Sequence, residues 1–243
     1  MPTSTQSIRE IVATQPSAAR IFQRFDIDLC SQADKSLLGA CAELQLSVDQ
    51  VLEKLADAET KERGGPPIDP ASLSIGRLIQ HIVRVHHQYV RQELPRLAEM
   101  AYRLAAKQSD RAPELKNISE LLEELRADMF AHLQKEEQVL FPFISQMDHE
   151  SIVAYPPAHA CFRSVAHPVS KMRQEHESAN HIVAELHRLT HGFKPPAWAC
   201  ATQIALFAGL LEFEGDLWQH VHLENDILFP RAIALEAELN NRS

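Results

Sequence analysis

One pattern is written twice in this chain of 243 residues. Asp128-x3-His132-x3-Glu136-x3-Leu140-Phe141-Pro142 recurs as Asp216-x3-His220-x3-Glu224-x3-Leu228-Phe229-Pro230, with every spacing kept across an offset of 88 residues. On an α-helix, residues four apart are turned by only about 40° about the axis, so each Asp, His and Glu lies on one narrow stripe. Each copy supplies only two or three potential metal donors, whereas a first-row transition metal needs about four to six. The two copies must therefore converge. A solvated face accounts for His next to Glu in either copy alone, but it has no reason to repeat the same spacing.

A duplication that copied one helix also copies the helix before it. His87 and His176 stand 89 residues apart, and each precedes its Asp-His-Glu helix by a similar distance. A unit of two helices and a loop, repeated once, predicts an all-α fold: an antiparallel four-helix bundle. The inward set is then His87, His132, Glu136, His176, His220 and Glu224. His86 adjoins His87, and spacing does not choose firmly between them. Imidazoles and carboxylates in this ratio suit a pair of iron or manganese ions bridged by the carboxylates, and ligand type does not separate the two metals. Two octahedral ions have about twelve coordination positions, of which histidines take about four, bridging glutamates about four and an oxo or hydroxo bridge about two. About one open position per ion is left, so the centre can bind a small diatomic, change oxidation state or release an ion.

The neighbouring residues carry weaker signals. Asp128 and Asp216 lie one turn before the histidines, either accepting the outer imidazole N–H or serving as surface charges. Glu137 and Glu175 adjoin the stripe but project elsewhere, as proton or access-path groups. His81, His181, His187, His191 and His222 are off the stripe and read as ordinary histidines. Leu140-Phe141 and Leu228-Phe229 read as core, each followed by a proline that kinks or ends its helix. Gly215, just before Asp216, suits a close helix approach.

The rest of the chain divides into a small helical module over 1–59, a linker over 60–71 containing Gly64-Gly65-Pro66-Pro67, and the bundle over 72–243. Ser47-Val48-Asp49 starts a helix in the module. The four bundle helices are expected from about Ser72 to Leu104, with a kink at Pro95, from about Pro113 through Phe141, from about Ser170 to Thr190, and from about Trp198 through Phe229. Gly192 with Pro195-Pro196 ends the third. Between Met147 and Val169, the irregularly spaced His149, His159, Cys161 and His167 among prolines read as a crossover loop. A net charge of −9 without a basic run argues against nucleic acid and membrane surfaces as partners. The absence of a secretory pattern or a long apolar run points to the cytoplasm. There the cysteines at 30, 41, 161 and 200 are expected to be thiols.

With these residues in place, the chain resembles the bacterial di-iron proteins for repair of iron centres, a branch of the hemerythrin-like families. The likeness is carried by Arg91-Gln92-Glu93-Leu94-Pro95 after His87, by His132-Leu-Gln-Lys-Glu136-Glu137-Gln-Val-Leu-Phe-Pro142, by Glu175-His176-Glu177 and by His220-Val-His-Leu-Glu224-Asn225-Asp-Ile-Leu-Phe-Pro-Arg231. The resemblance selects His87 over His86 and implies two non-haem iron ions, oxo- or hydroxo-bridged, on the six residues above. It also implies a cytoplasmic role in nitrosative or oxidative stress, repairing damaged iron–sulfur clusters, with nitric oxide or another diatomic and iron–sulfur client proteins as partners. The alternatives are a nitric oxide binder that lowers the free gas, or a nitric oxide or peroxide reductase. Oxygen carriage fits less well, since a fifth aligned histidine is missing. In the module, the family's two adjacent cysteines are represented by Cys30-Ser31, which puts any role for a vicinal dithiol in question. Cys41 is a substitute only if the fold brings it close, and Cys30 otherwise reads as a small residue at a helix end.

Overall fold

The structure, a computed structural model, describes residues 2–15, 18–27, 32, 34–62, 72–149 and 164–242. The expected linker glycines and prolines, Cys30-Ser31, and the crossover residues His159 and Cys161 lie outside the described residues. Among the described residues the architecture is all-helical, and the β content is one isolated bridge between Ser7 and Ser36. No described helix is long and apolar enough to cross a membrane. The chain forms two compact units, one of Met1–Pro67, Glu99–Asn117 and His187–Glu212, the other of Ile68–Ala98, Ile118–Leu186 and Phe213–Ser243.

The first unit contains four short helices, α1 (Ile8–Thr14), α2 (Ala18–Arg24), α3 (Leu37–Glu43) and α4 (Val48–Glu62). Helix α1 begins with a reciprocal cap: Glu10 N–H donates to Ser7 Oγ at 3.2 Å and Ser7 N–H donates to Glu10 Oε2 at 2.9 Å. Ser36 Oγ likewise accepts the Gly39 N–H of α3 at 3.1 Å. Ser47 Oγ accepts Gln50 N–H at 3.4 Å, so α4 starts where its polar residues indicate. Ile11, Phe22, Leu37, Cys41, Val51 and Leu55 are buried in this unit. Burial raises the Cys41 thiol above its usual range and keeps it protonated.

The long helices follow. Helix α5 is Ile75–Ile82, a π-helical turn Val83–His87, then Gln88–Gln108. Helix α6 is Glu114–Lys135, a π turn Glu136–Leu140, then Phe141–His149. Helix α7 is Ala166–Leu189, and α8 is Ala201–His222, a π turn Leu223–Leu228, then Phe229–Arg242. Beyond α7, Gly192 takes a left-handed φ of 78° and its N–H donates to His187 O at 2.8 Å, consistent with the expected stop.

The prolines were expected to kink or end their helices, and a helix end is not what forms: α6 and α8 run on through Pro142 and Pro230. A proline ring clashes with the carbonyl four residues back and cannot donate to it. The π turn relieves both problems by adding a residue to the turn: Phe141 N–H reaches Glu136 O and Phe229 N–H reaches Glu224 O, each five residues back. The helices therefore extend beyond the limits expected from the prolines.

In the second unit, Leu78, Ile82, Leu140, Phe141, Ile144, Met172, Leu228 and Phe229 form one apolar cluster. Glu236 fixes the start of α7, accepting Ser164 Oγ–H at 2.7 Å and Val165 N–H at 2.8 Å. Arg231 Nη1 donates to Leu73 O at 2.8 Å, tying the end of α8 to the segment before α5.

Candidate metal centre

The four long helices bring His87, His132, Glu136, His176, His220 and Glu224 together within the second unit, and all six side chains are buried. They form two overlapping groups: His87, Glu136, His220 and Glu224, and His132, Glu136, His176 and Glu224. In each group the potential ligand atoms lie within 4.8 Å of one another. Glu136 and Glu224 are common to both. Their carboxylates face the ring Nε2 atoms, with Glu136 Oε2 3.4 Å from His87 and 3.3 Å from His132. Glu224 Oε1 lies 3.0 Å from His220 and 3.6 Å from His87, and its Oε2 lies 3.0 Å from His176.

The donor set fits a cation. His87 Nε2, both Glu136 oxygens and Glu224 Oε2 are buried with no hydrogen-bond partner among the described residues, a costly arrangement for polar atoms unless an ion satisfies them. His132 Nε2 and His176 Nε2 stand 3.0 Å apart. At that range one proton can be shared between the two nitrogens, and a cation can take its place, since two nitrogen ligands in adjacent octahedral positions also stand about 3 Å apart.

Without a metal, protons balance the carboxylates. Burial opposes charge on His132, yet Glu136, Glu224 and Glu175 outweigh it and hold the imidazolium up to about 9. His220 is raised against the same burial by Glu224 and Glu136. Burial also opposes charge on Glu224, but His220, His176 and His87 hold it well below the usual carboxylate range. Metal binding at this cage therefore displaces protons.

The outer side of the cage decides how the rings are held. Nδ1 of His87 donates to Glu137 Oε1 at 2.8 Å, and Arg91 Nη2 donates to the same oxygen at 3.2 Å. Nδ1 of His132 donates to Glu175 Oε2 at 3.0 Å, while Lys135 Nζ donates to Glu175 Oε1 at 2.6 Å. Nδ1 of His176 donates to Asn225 Oδ1 at 3.1 Å. An N–H committed outward leaves the Nε2 lone pair pointing inward, which fixes both tautomer and ring orientation. Burial works against charge on Glu137 and Glu175, but their imidazole and cationic partners lower both pKa values and keep them ionised.

Of the two roles open to Asp128, the exposed position agrees with a surface charge. Other expectations change here: Asp216 bonds not to His220 but to His86, whose Nδ1 donates to Asp216 Oδ1 at 2.9 Å. Glu137 and Glu175, read as proton or access-path groups, instead orient histidines across the bundle. Gly215 is exposed and a Cβ there would meet nothing within 4 Å, so it serves no close approach. The phenylalanines of the repeat do more than fill the core: Phe141 stacks on His87 with centroids 5.6 Å apart, and Phe229 stacks on His176 at 6.2 Å. Asn225 was missed, although its signal was present, since Glu137 and Asn225 each follow the shared glutamate of their own copy.

Residues 78–232 match the hemerythrin HHE cation binding domain, and residues 4–59 match a domain of unknown function, DUF542. Among similar proteins, the iron-sulfur cluster repair protein YtfE of Enterobacter sp. (strain 638) is 31% identical over 233 residues, covering 95% of this chain and 98% of the relative. A probable iron-sulfur cluster repair protein of Haemophilus influenzae is 31% identical over 233 residues, covering 96% and 99%. Iron-sulfur cluster repair protein YtfE of Dickeya chrysanthemi is 32% identical over 228 residues, covering 94% and 96%.

Proposed function

Since the chain belongs to the hemerythrin HHE cation binding family, we propose that His87, His132, Glu136, His176, His220 and Glu224 hold two iron ions, with Glu136 and Glu224 bridging them. The observation that carries this reading is the pair of buried four-residue groups sharing both glutamates. An oxo or hydroxo bridge completes the pair in the ligand count above. When bound, the irons supply exchangeable positions and a change of oxidation state. The protein's own part is to present imidazole nitrogens and carboxylates in a buried cage, and to wall it with Phe141 and Phe229.

In this reading the protein works, as its relatives' names indicate for them, in repair of iron–sulfur clusters. It acts in the cytoplasm during nitrosative or oxidative stress, with damaged cluster proteins as clients. Residues 1–59 form an amino-terminal module, 60–71 a linker and 72–243 the bundle, a division supported by the two domain matches. A second reading, binding of nitric oxide to lower its free concentration, draws on the module: Cys30 is followed by Ser31 and not by a second cysteine, and Cys41 is buried and protonated.

The test is iron content and the optical spectrum of anaerobically purified protein, before and after reduction and exposure to nitric oxide. About two irons per chain, lost in His132→Ala, is the expected result; zinc alone, or unchanged metal content in His132→Ala, overturns the assignment. Single-turnover transfer of iron to an apo cluster protein supports repair. Tight, reversible gas binding without transfer supports the second reading.

A further inference from the structure

The four imidazoles of the cage are not held alike. In each copy of the repeat, the residue just before the first-helix histidine stands against the second-helix histidine of the other copy. Glu175 precedes His176 and accepts from His132 at 3.0 Å. His86 precedes His87 and lies against His220, but face to face, with ring centroids 5.8 Å apart and an interplanar angle of 12°. Its Nδ1 is already engaged by Asp216 at 2.9 Å. His220 Nδ1 is buried with no hydrogen-bond partner among the described residues. One group of the cage thus has both rings anchored, His132 by Glu175 and His176 by Asn225. The other has only His87 anchored, by Glu137.

From this difference we infer that the two metal positions are unequal, and that the ion shared by His87 and His220 is the one held weakly and released first. The inference rests on the two-ion reading above. Outer partners raise the basicity of a ligating imidazole and fix its ring, and losing one typically costs about 10–100-fold in metal affinity. His86 is the determinant: where the other copy has a carboxylate braced by Lys135, this one has an imidazole drawn aside by Asp216. For a protein that gives iron to damaged clusters, one loosely held ion beside one firmly held ion allows donation without emptying the cage.

The experiment is iron release from the full-length protein, loaded anaerobically with two iron(II) ions and mixed with excess chromogenic chelator, with absorbance followed against time. Two phases of equal amplitude are expected, differing in rate about tenfold or more. Asn225→Ala should accelerate the slow phase and leave the fast one, whereas His86→Glu, which restores a carboxylate opposite His220, should slow the fast phase. Two irons leaving in one phase, or Asn225→Ala accelerating only the fast phase, overturns the inference and leaves the two-ion reading standing. Uptake of fewer than two irons per chain overturns that reading and the inference with it.

Discussion

A carboxylate one position from a ligand is turned about 100° away from it on a helix, and by that geometry Glu137 and Glu175 should face solvent. Both instead reach a histidine on a neighbouring helix, because the bundle places another ring beside that face. Glu137→Ala should therefore weaken iron binding about 10–100-fold, measured by competition with a chelator of known affinity. Asp128→Ala, at an exposed position that looks more important in sequence, should leave affinity unchanged in the same titration. Cys41 permits a test of the module. Burial raises its thiol, so at neutral pH the reactive thiolate is scarce, and higher pH should restore it only slowly. In native protein Cys41 should resist alkylation, becoming modified when denaturant is added, as peptide mass mapping would record.

At the scale of the element, the π turns do the positioning. Among the described residues three helices carry one, and those turns contain His87, Glu136 and Glu224. An added residue in a turn changes the direction of everything beyond it by about 100°, which lets ligands before the turn and apolar residues after it share an inward face. Pro142 and Pro230 favour this geometry by denying the ordinary bond to the carbonyl four residues back. Pro142→Ala should keep helical content in far-ultraviolet circular dichroism but lower retained iron, because the regular α register then competes with the π turn. Phe229 is fully buried against His176. Phe229→Ala should destabilise the protein by about 3–5 kcal/mol in denaturant unfolding, through lost burial and a cavity.

For the molecule as a whole, a buried cage of carboxylates and imidazoles makes folding and metal binding one equilibrium. Iron at about one hundred times its dissociation constant stabilises the folded state by about 2.7 kcal/mol, and for a chain of this size that raises Tm by about 5–11 °C. Calorimetry of chelator-stripped and reloaded protein should show that rise; equal Tm values would mean that the cage does not bind iron in the folded state. The helical class, the family likeness and the set of residues that converge were all legible in the chain, because a period of about four residues on a helix fixes direction before any packing occurs. That period did not foresee the run through Pro142 and Pro230, where proline stereochemistry argued for a kink or a helix end and the π turns carried the helix onward. It could not reach the partners of the rings, since His132 and Glu175 are 43 residues apart and His86 and Asp216 are 130 apart. By itself, then, the sequence determined which donors this protein presents, through their spacing along each helix. Tertiary structure alone decided which ring is braced and which is left free, because that depends on the rotation and packing of helices against one another.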